Sequence, residues 1–552
     1  MQISSVHIEN FKCFKGQFKF KLTKGINILV GNNEAGKSTI LEAIHLALTG
    51  LLHGRYLKNE LTQYVFNSEV VANYLTELET KGTKVVPPHI LIEIFMEGDG
   101  LAEFEGDGNR DRAKGIGVAL KVEFDDKYQE EYEKLVKNGG IKTLPIEYYQ
   151  VQWCSFARDE NITPRTIPIK SALIDSASNR HQNGSDIYIS RIIKEFLDAD
   201  EIVKISQSHR QMKEHFMGQD AIKTINEKIK KAAKITDKKV ELSVELSSKN
   251  AWENSLMTYL EDIPFHYVGK GEQCIIKTKL ALSHKKAKEA TIILLEEPEN
   301  HLSHSKLNEL INGIKTEQAT KQILISTHSS FVANKLGLEN LILLSDQKTI
   351  RLVDLDTDTQ NFFQKLSGYD TLRLVLCKMA ILVEGDSDEL IVQKAFTNAN
   401  DGALPIEKGI DVISVGTAFV RFLTLAKKLN KPVHVVTDND GDTEAVKRKY
   451  EDYLGEHAIP ATEIHYDQNV TADGGLKIGD KAFNYNTLEP NMLAANSLQT
   501  FNALFGKSYI DINDMHRYMV ANKTECALKI FDSTAAIKFP DYINNAIKYA
   551  GK

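Results

Sequence analysis

Little in this chain points to secretion or membrane insertion. Its 552 residues hold only five cysteines, Cys13, Cys154, Cys274, Cys377 and Cys526. They are scattered and form no Cys-x-x-Cys pair, which argues against a zinc knuckle or a disulfide framework. Apolar runs such as Ile292–Leu295 and Leu341–Leu344 are too short to cross a bilayer. The opening stretch, Met-Gln-Ile-Ser-Ser-Val, alternates polar and apolar residues and lacks the basic start and apolar core of a signal peptide, so a cytoplasmic location is expected. No internal repeat or long low-complexity linker is visible. A basic excess is missing too. The net charge is −7, so any contact with nucleic acid must come from local patches or from metal ions that offset carboxylates.

What is present is an ordinary globular composition, 42% hydrophobic and 26% charged, at a length that suits about three to four domains. Ile3–Ile8 and Gln17–Leu22 alternate like half-buried strands, the second with Phe18, Phe20 and Leu22 on one face. Ile26–Val30 runs into a glycine-rich turn, and a helix follows with Ile40, Leu41, Ile44 and Leu48 on one side, closed by Gly50. Strand-like stretches recur at His89–Phe95, Val118–Phe124 and Pro145–Phe156. Residues 165–262 read as mostly helical and carry a lysine run, Lys223, Lys228, Lys230, Lys231, Lys234, Lys238 and Lys239, best taken as a solvated helix face, with a DNA-facing patch as the alternative. From residue 263 onward short apolar strands dominate: Thr291–Leu295, Gln322–Ser326, Met379–Val383 and Pro432–Val436. Each leads into a polar cluster: Glu296–Glu297, His328, Glu384–Asp388 and Asp438–Asp440. In open α/β sheets, ligands sit outside the carboxyl ends of the strands, so this repeated arrangement already suggests two sites.

The first site is a phosphate loop. Gly31-Asn32-Asn33-Glu34-Ala35-Gly36-Lys37-Ser38 fits G-x-x-x-x-G-K-[ST], with a strand before it and a helix, opened by Lys37, Ser38 and Thr39, after it. Its glycines let successive N–H groups point at phosphate oxygens, and the helix N-terminus adds partial positive charge. Lys37 would neutralise the β and γ phosphates of ATP, and Ser38 would hold Mg²⁺. Glu296 would reach the Mg²⁺ shell through water, and Glu297 would polarise the attacking water. Gly269-Lys270-Gly271-Glu272-Gln273 resembles the ABC signature, although Gly269 stands where serine is usual and Lys270 where glycine is usual. Gln322-Ile-Leu-Ile-Ser-Thr-His328 resembles the switch-histidine strand of ABC ATPases, with His328 near the γ-phosphate. Gln150 and Gln152 are the candidates for the Q-loop glutamine. More than 200 residues separate the phosphate loop from the signature. Such a split ATPase head resembles the SMC and RecF group, as does the opening Ile8-Glu9-Asn10-Phe11-Lys12, and that resemblance implies dimerisation around ATP.

The second site is acidic. Glu384-Gly385-Asp386-Ser387-Asp388 follows one strand, and Asp438-Asn439-Asp440 follows another about fifty residues later. A glutamate at one strand end and Asp-x-Asp at another is the arrangement of a TOPRIM domain. Carboxylates gathered at one sheet edge repel unless divalent cations lie between them, and two ions about 3.5–4 Å apart can clamp the attacking and leaving oxygens of a phosphodiester. Asp386 with Glu389 fits a helix N-cap and its box partner, so Asp386 is assigned to capping. Asp438, Asp440 and Asp442 do not make an EF-hand, because Thr443 and Lys449 replace the required Gly and Glu.

Over nearly the full chain the order of motifs resembles the OLD (overcoming lysogenization defect) nucleases, which join an ABC ATPase to a TOPRIM domain. The resemblance implies that Glu384, Asp388, Asp438 and Asp440 are metal ligands, that Ser414-Val415-Gly416 is the middle strand turn, and that Glu489 of Thr487-Leu488-Glu489-Pro490 belongs to the metal site. It also implies that Lys523 stabilises the scissile phosphate, although Asn522 and Glu525 equally fit a capping box. The expected fold is α/β: a split ABC-type ATPase head over 1–164 and 263–345, a helical dimerisation insertion over 165–262, a connector over 346–375, and a Rossmann-like TOPRIM domain over 376–552. Implied with it are one Mg²⁺ with ATP, two Mg²⁺ or Mn²⁺ in the TOPRIM site, DNA as substrate, a homodimer or higher oligomer, and a role in bacterial anti-phage defence beside a helicase or a retron reverse transcriptase. An SMC/RecF-like scaffold whose TOPRIM domain binds without cutting is the alternative. A topoisomerase is disfavoured, since none of the 19 tyrosines stands in a recognisable context.

Overall fold

The computed structural model describes residues 1–32, 34–175, 181–182, 185–186, 197–232, 242, 259–283, 290–300, 302–317, 321–329, 332, 338–345, 347–351, 355–365, 369–454 and 462–550. The chain divides into two compact units, one of residues 1–29 and 36–327, the other of 30–35 and 328–552. Among the described residues no helix is long and apolar enough to cross a membrane.

The first unit holds two sheets. In one, β1 (Gln2–Glu9) pairs antiparallel with β2 (Gln17–Lys21) and with a long strand, Ile90–Glu97, which pairs with Gly115–Phe124, itself paired with Tyr149–Ser155. The alternation read from the sequence is what is buried: Ile3, Val6, Ile8, Phe18 and Phe20 are all at most 3% exposed. Each such side chain removed from water contributes about 1.5–3 kcal/mol. Gln150 and Gln152 sit in the last of these strands opposite Glu123 and Lys121, as rungs of an antiparallel ladder.

Within this unit the strands of the other sheet follow the order β4, β5, β6, β3, where β3 is Ile26–Gly31, β4 Ser171–Asp175, β5 Ile292–Glu296 and β6 Gln322–Thr327. β4 and β5 run parallel, as do β5 and β6, so that Asp175, Glu296 and Ser326 stand side by side at the carboxyl end. Four-residue runs such as Ile292–Leu295 are almost wholly buried, as strands covered on both faces must be. Ser171–Asp175 lies inside the range expected to be a helical insertion. Its apolar run, Ala172–Ile174, is only three residues long, too short to mark a strand by itself. The described helices of that range are α2 (Ala199–Met217) and α3 (Asp220–Ala232). Lys223 and Lys228 are exposed on α3. Lys234, Lys238 and Lys239 lie outside the described residues.

In the second unit the range expected to be a connector contains structure: a strand at Lys348–Arg351, paired with Leu341–Ser345, and helices at Thr357–Lys365 and Tyr369–Leu376. Beyond it, a four-stranded parallel sheet has the order β8–β7–β9–β10, with β7 Met379–Val383, β8 Ile410–Ser414, β9 Val433–Val436 and β10 Thr462–His465. Helices α4 (Asp386–Ala399), α5 (Leu488–Ala495), α6 (Lys523–Asp532) and α7 (Asp541–Ala550) share a core with the sheet. Ile381, Val383, Val392, Phe396 and Ile543 lie at its centre, each fully buried.

Candidate functional site

The phosphate loop joins β3 to a helix at Lys37–Thr49. Two of its glycines are required by space. A Cβ on Gly31 would lie 2.5 Å from the Leu344 carbonyl oxygen, and one on Gly36 would lie 2.7 Å from the Phe14 ring, where φ is also +99°. Lys37 is 6% exposed. Burial lowers its pKa, while Glu297, Glu299 and Glu296, in that order, raise it by their charge. The ammonium group therefore stands among the carboxylates at and just past the end of β5. Ser38 is exposed and Thr39 half-buried, within reach of the Cys13 thiol at 3.5 Å. Asn33 lies outside the described residues; Asn32 is half-buried.

Glu297 leaves its strand with φ +40°, a conformation that costs a non-glycine residue about 1–3 kcal/mol and tends to be kept where function over-determines it. Its carboxylate accepts from Asn300 Nδ2 at 3.0 Å, and its N–H donates to the Ser326 carbonyl. Glu299, not singled out in the sequence, accepts a hydrogen bond from the Thr327 hydroxyl. Gly271 is in the first turn of the helix Lys270–Ser283, which Gln273 helps to start by donating to the Val268 carbonyl at 2.7 Å. His328 follows β6 and is exposed.

The acidic site is built at the carboxyl ends of β7 and β9. These strands are hydrogen-bonded neighbours in parallel register, Leu382 opposite Val435, so the residues that leave them emerge side by side. The Ser414-Val415-Gly416 turn fastens the first: Gly416 N–H and the Ser414 hydroxyl both donate to the Glu384 carbonyl oxygen, at 3.0 and 3.3 Å. The Glu384 side chain is left exposed. Asp388 turns back and accepts from the Gly385 N–H at 3.1 Å. The capping assignment therefore moves. Asp386 is the first helical residue of α4, not its cap, and Glu389 is drawn instead to Arg373, 3.2 Å away. Arg373 also holds Asp411 at 2.7 Å.

After β9, Asp438 accepts from the Leu488 N–H at the start of α5, 3.2 Å away. Asn439 is buried and ties the loop by donating to the Asp467 and Asn469 carbonyls. Asp440 adopts φ +48° and accepts from Asn484 Nδ2 at 2.9 Å. Glu489 is 4% exposed, and Lys523 Nζ stands 3.2 Å from its Oε1. The capping box that Asn522 and Glu525 equally fit does not form; Glu525 pairs with Lys529 at 2.8 Å and the Asn522 amide donates to the Tyr518 carbonyl. That leaves Lys523, half-exposed at the N-terminus of α6, facing the acidic site.

The electrostatics join these groups. Burial, then the charges of Glu489 and Glu384, push the Asp388 carboxyl up to about 7. Asp438 is raised well above the carboxylate range by burial, then by Asp388, Glu384, Glu489 and Asp440. The Tyr542 phenol of α7 is raised by burial and then by the charges of Asp438 and Asp388. Nothing in the sequence marked Tyr542 or Asn484, which reach the site from 104 and 46 residues downstream of Asp438. An all-oxygen set whose members resist ionising together fits hard divalent cations, whose charge relieves the repulsion. Among the described residues no three of these carboxylates bring one oxygen each within 4.8 Å of one another.

A pH effect follows. Asp388 has a folded pKa of about 7, above the usual carboxylate value near 3.9. Without ions, its contribution to stability is therefore lost as pH rises from the unfolded value through about 7, and the cost persists above that. Mg²⁺ should raise the melting temperature more at pH 8 than at pH 5.5, by about 2–4 °C for each kcal/mol regained. Asp388→Asn should shrink that difference. An equal Mg²⁺ effect at both pH values would show that ions do not bind at these carboxylates.

Comparison with known proteins fits this geometry. The family model described as an AAA domain matches residues 5–367. A second, the overcoming lysogenization defect protein-like TOPRIM domain, matches residues 376–440 and so ends at Asp440, before Glu489 and Lys523. The Retron Ec83 probable ATPase of Escherichia coli is 46% identical over 52 residues, 9% of this chain and 10% of that protein. DNA replication and repair protein RecF of Clostridium botulinum is 33% identical over 98 residues, 18% of this chain and 25% of that protein. The chain thus spans a tenth to a quarter of the length of these curated relatives. The solved SMC head domain from Thermotoga maritima is 10% identical, covering 63% of this chain and 97% of that one, with a TM-score of 0.28 that carries no weight. Together the two domains imply the use of nucleotide and of divalent metal. The chain belongs to the AAA-domain family, and it joins that ATPase domain to a TOPRIM domain of the overcoming lysogenization defect type.

Proposed function

We propose that this protein is an ATP-regulated, divalent-metal-dependent DNA endonuclease that serves as the effector of a bacterial anti-phage defence system. The observation that carries the reading is the grouping of Glu384, Asp388, Asp438, Asp440 and Glu489 at one sheet edge, electrically coupled, with the half-exposed Lys523 beside them. These carboxylates would hold two Mg²⁺ or Mn²⁺ ions, which supply an activated water and charge stabilisation at the phosphodiester. Asp438 is oriented for this by the Leu488 N–H, and Asp440 by Asn484. Lys523 can leave Glu489 for a phosphate oxygen of DNA, because half of its side chain faces solvent.

In the ATPase domain, Gly31, Asn32, Asn33, Gly36, Lys37, Ser38 and Thr39 would cradle ATP, with Ser38 and Glu296 serving its Mg²⁺. Glu297 would polarise the attacking water, and Gly271 and His328 would complete the site when two heads meet around ATP. Residues 165–262 would provide the dimer contact. The likeness to a retron ATPase supports a retron reverse transcriptase as partner; a helicase is the other candidate. Glu297→Gln should retain ATP through gel filtration while phosphate release falls by about 10²-fold. Rapid turnover in that variant would place the water-activating group elsewhere.

The direct test is supercoiled plasmid with Mg²⁺ or Mn²⁺, with and without ATP. Cleavage that requires the ion and changes with ATP is expected. The likeness to RecF favours a second reading, a repair or scaffolding ATPase whose TOPRIM domain binds without cutting. Ion-dependent DNA binding with no cleavage under any condition would bring that reading forward.

A further inference from the structure

The carboxyl ends of β7 and β9 are not the only place in this unit where metal-ligating side chains converge. His434 lies on β9 directly opposite Glu463 of β10 in the parallel register, and His465 follows two residues after Glu463. Residues two apart on a strand share a face. His465 Nε2 is 3.3 Å from His434 Nδ1 and 3.5 Å from Glu463 Oε2, and the three ligand atoms all lie within 4.8 Å of one another. Among the described residues this is the one set of three His, Cys, Asp or Glu side chains so closely gathered. Nitrogen and oxygen ligands about 2.0–2.2 Å from a common tetrahedral ion stand roughly 3.3–3.5 Å from each other.

We propose that His434, Glu463 and His465 form a second metal site, for Zn²⁺ or a similar transition ion, which ties β9 and β10 together beneath α7. His434 Nδ1 also lies 3.1 Å from the Ala546 carbonyl oxygen of α7, a hydrogen bond that an ion held by Nδ1 would replace. Two nitrogens and one carboxylate suit Zn²⁺ or Co²⁺, whereas the all-oxygen set at Asp438 suits Mg²⁺. Glu463 has 42% of its side chain exposed, which gives an ion a way in. The site is independent of the nuclease reading, although β9 carries both His434 and, just past its end, Asp438.

The test uses the full chain, stripped with chelator and titrated with Co²⁺ in excess Mg²⁺, so that the oxygen-only sites are filled. One equivalent should bind with the intense visible absorption of nitrogen-ligated, low-coordinate Co²⁺, and Zn²⁺ should displace it. Glu463→Gln, at a partly exposed position, should fold normally and weaken Co²⁺ by at least about tenfold; His465→Ala should abolish the band. Should His465→Ala fail to fold, Glu463→Gln decides alone. Absence of Mg²⁺-resistant binding, or equal binding by the parent and Glu463→Gln, would overturn the proposal.

Discussion

Asp438→Asn should bind ATP as the parent does and cut DNA at least about 10²- to 10³-fold more slowly. The substitution keeps the shape of the side chain, and its amide oxygen can still accept from the Leu488 N–H. What disappears is one negative charge from a cluster in which Asp388, Glu384, Glu489 and Asp440 all act on this carboxyl. With that charge gone the remaining groups repel one another less, so the ion-free protein should melt no lower than the parent at pH 8, and higher if anything. Activity lost while stability is kept or gained is the mark of a ligand position rather than a structural one. The measurements are plasmid cleavage in Mg²⁺ and Mn²⁺, nucleotide binding, and a melting curve without ions. Full cleavage by the variant would remove Asp438 from the reaction. Loss of ATP binding together with cleavage would mean instead that the two compact units fold or act as one.

Lys37→Ala should reduce ATP affinity by about 30-fold to a few thousand-fold, corresponding to about 2–5 kcal/mol for a buried charge partner. Lys37 is 6% exposed, and without nucleotide its ammonium stands among Glu297, Glu299 and Glu296. The same positive charge would serve the β and γ phosphates when ATP binds, so alanine removes a cation from a place that needs one in both states. The variant should therefore also lose stability, because three neighbouring carboxylates are left without their cation. Lys37→Met, which keeps the packing, separates loss of volume from loss of charge. Unchanged nucleotide affinity in both variants would defeat the assignment of the phosphate loop. Metal-dependent cleavage measured in the same variants then reports how far ATP governs the second site.

Some of this molecule is readable one segment at a time. The runs Ile292–Leu295 and Ile381–Val383 are strands because continuous apolar residues of that length bury on both faces, and the carboxylates after them fall at sheet ends for the same reason. Gly31 and Gly36 are legible from the spacing of the phosphate-loop motif, whereas the close approach of Leu344 to the one and Phe14 to the other is tertiary. Other features misled. Asp386 followed by Glu389 has the spacing of a capping pair, yet Glu389 is claimed by Arg373 and the turn is closed by Asp388. Asn522 and Glu525 have the same spacing and form no box, since Lys529 is nearer to Glu525. Local spacing states what a side chain can do. A charge from another element decides whether it does so.

The sequence by itself determined the kind of chemistry: a phosphate-binding loop between a strand and a helix, carboxylates at the ends of parallel strands, and no Cys-x-x-Cys pair or membrane-length apolar run to suggest another. Those features are local, since each depends on the conformational limits and polarity of a few consecutive residues. Only the tertiary structure decided who meets whom. Glu489 and Lys523, separated by more than thirty residues, are 3.2 Å apart because α5 and α6 share one core with the sheet. His434 faces Glu463 because β9 and β10 are held in one register, and a slip of a single residue would turn His434 to the opposite face. Such meetings depend on which apolar faces bury together across long stretches of chain, and that is a property of the folded whole.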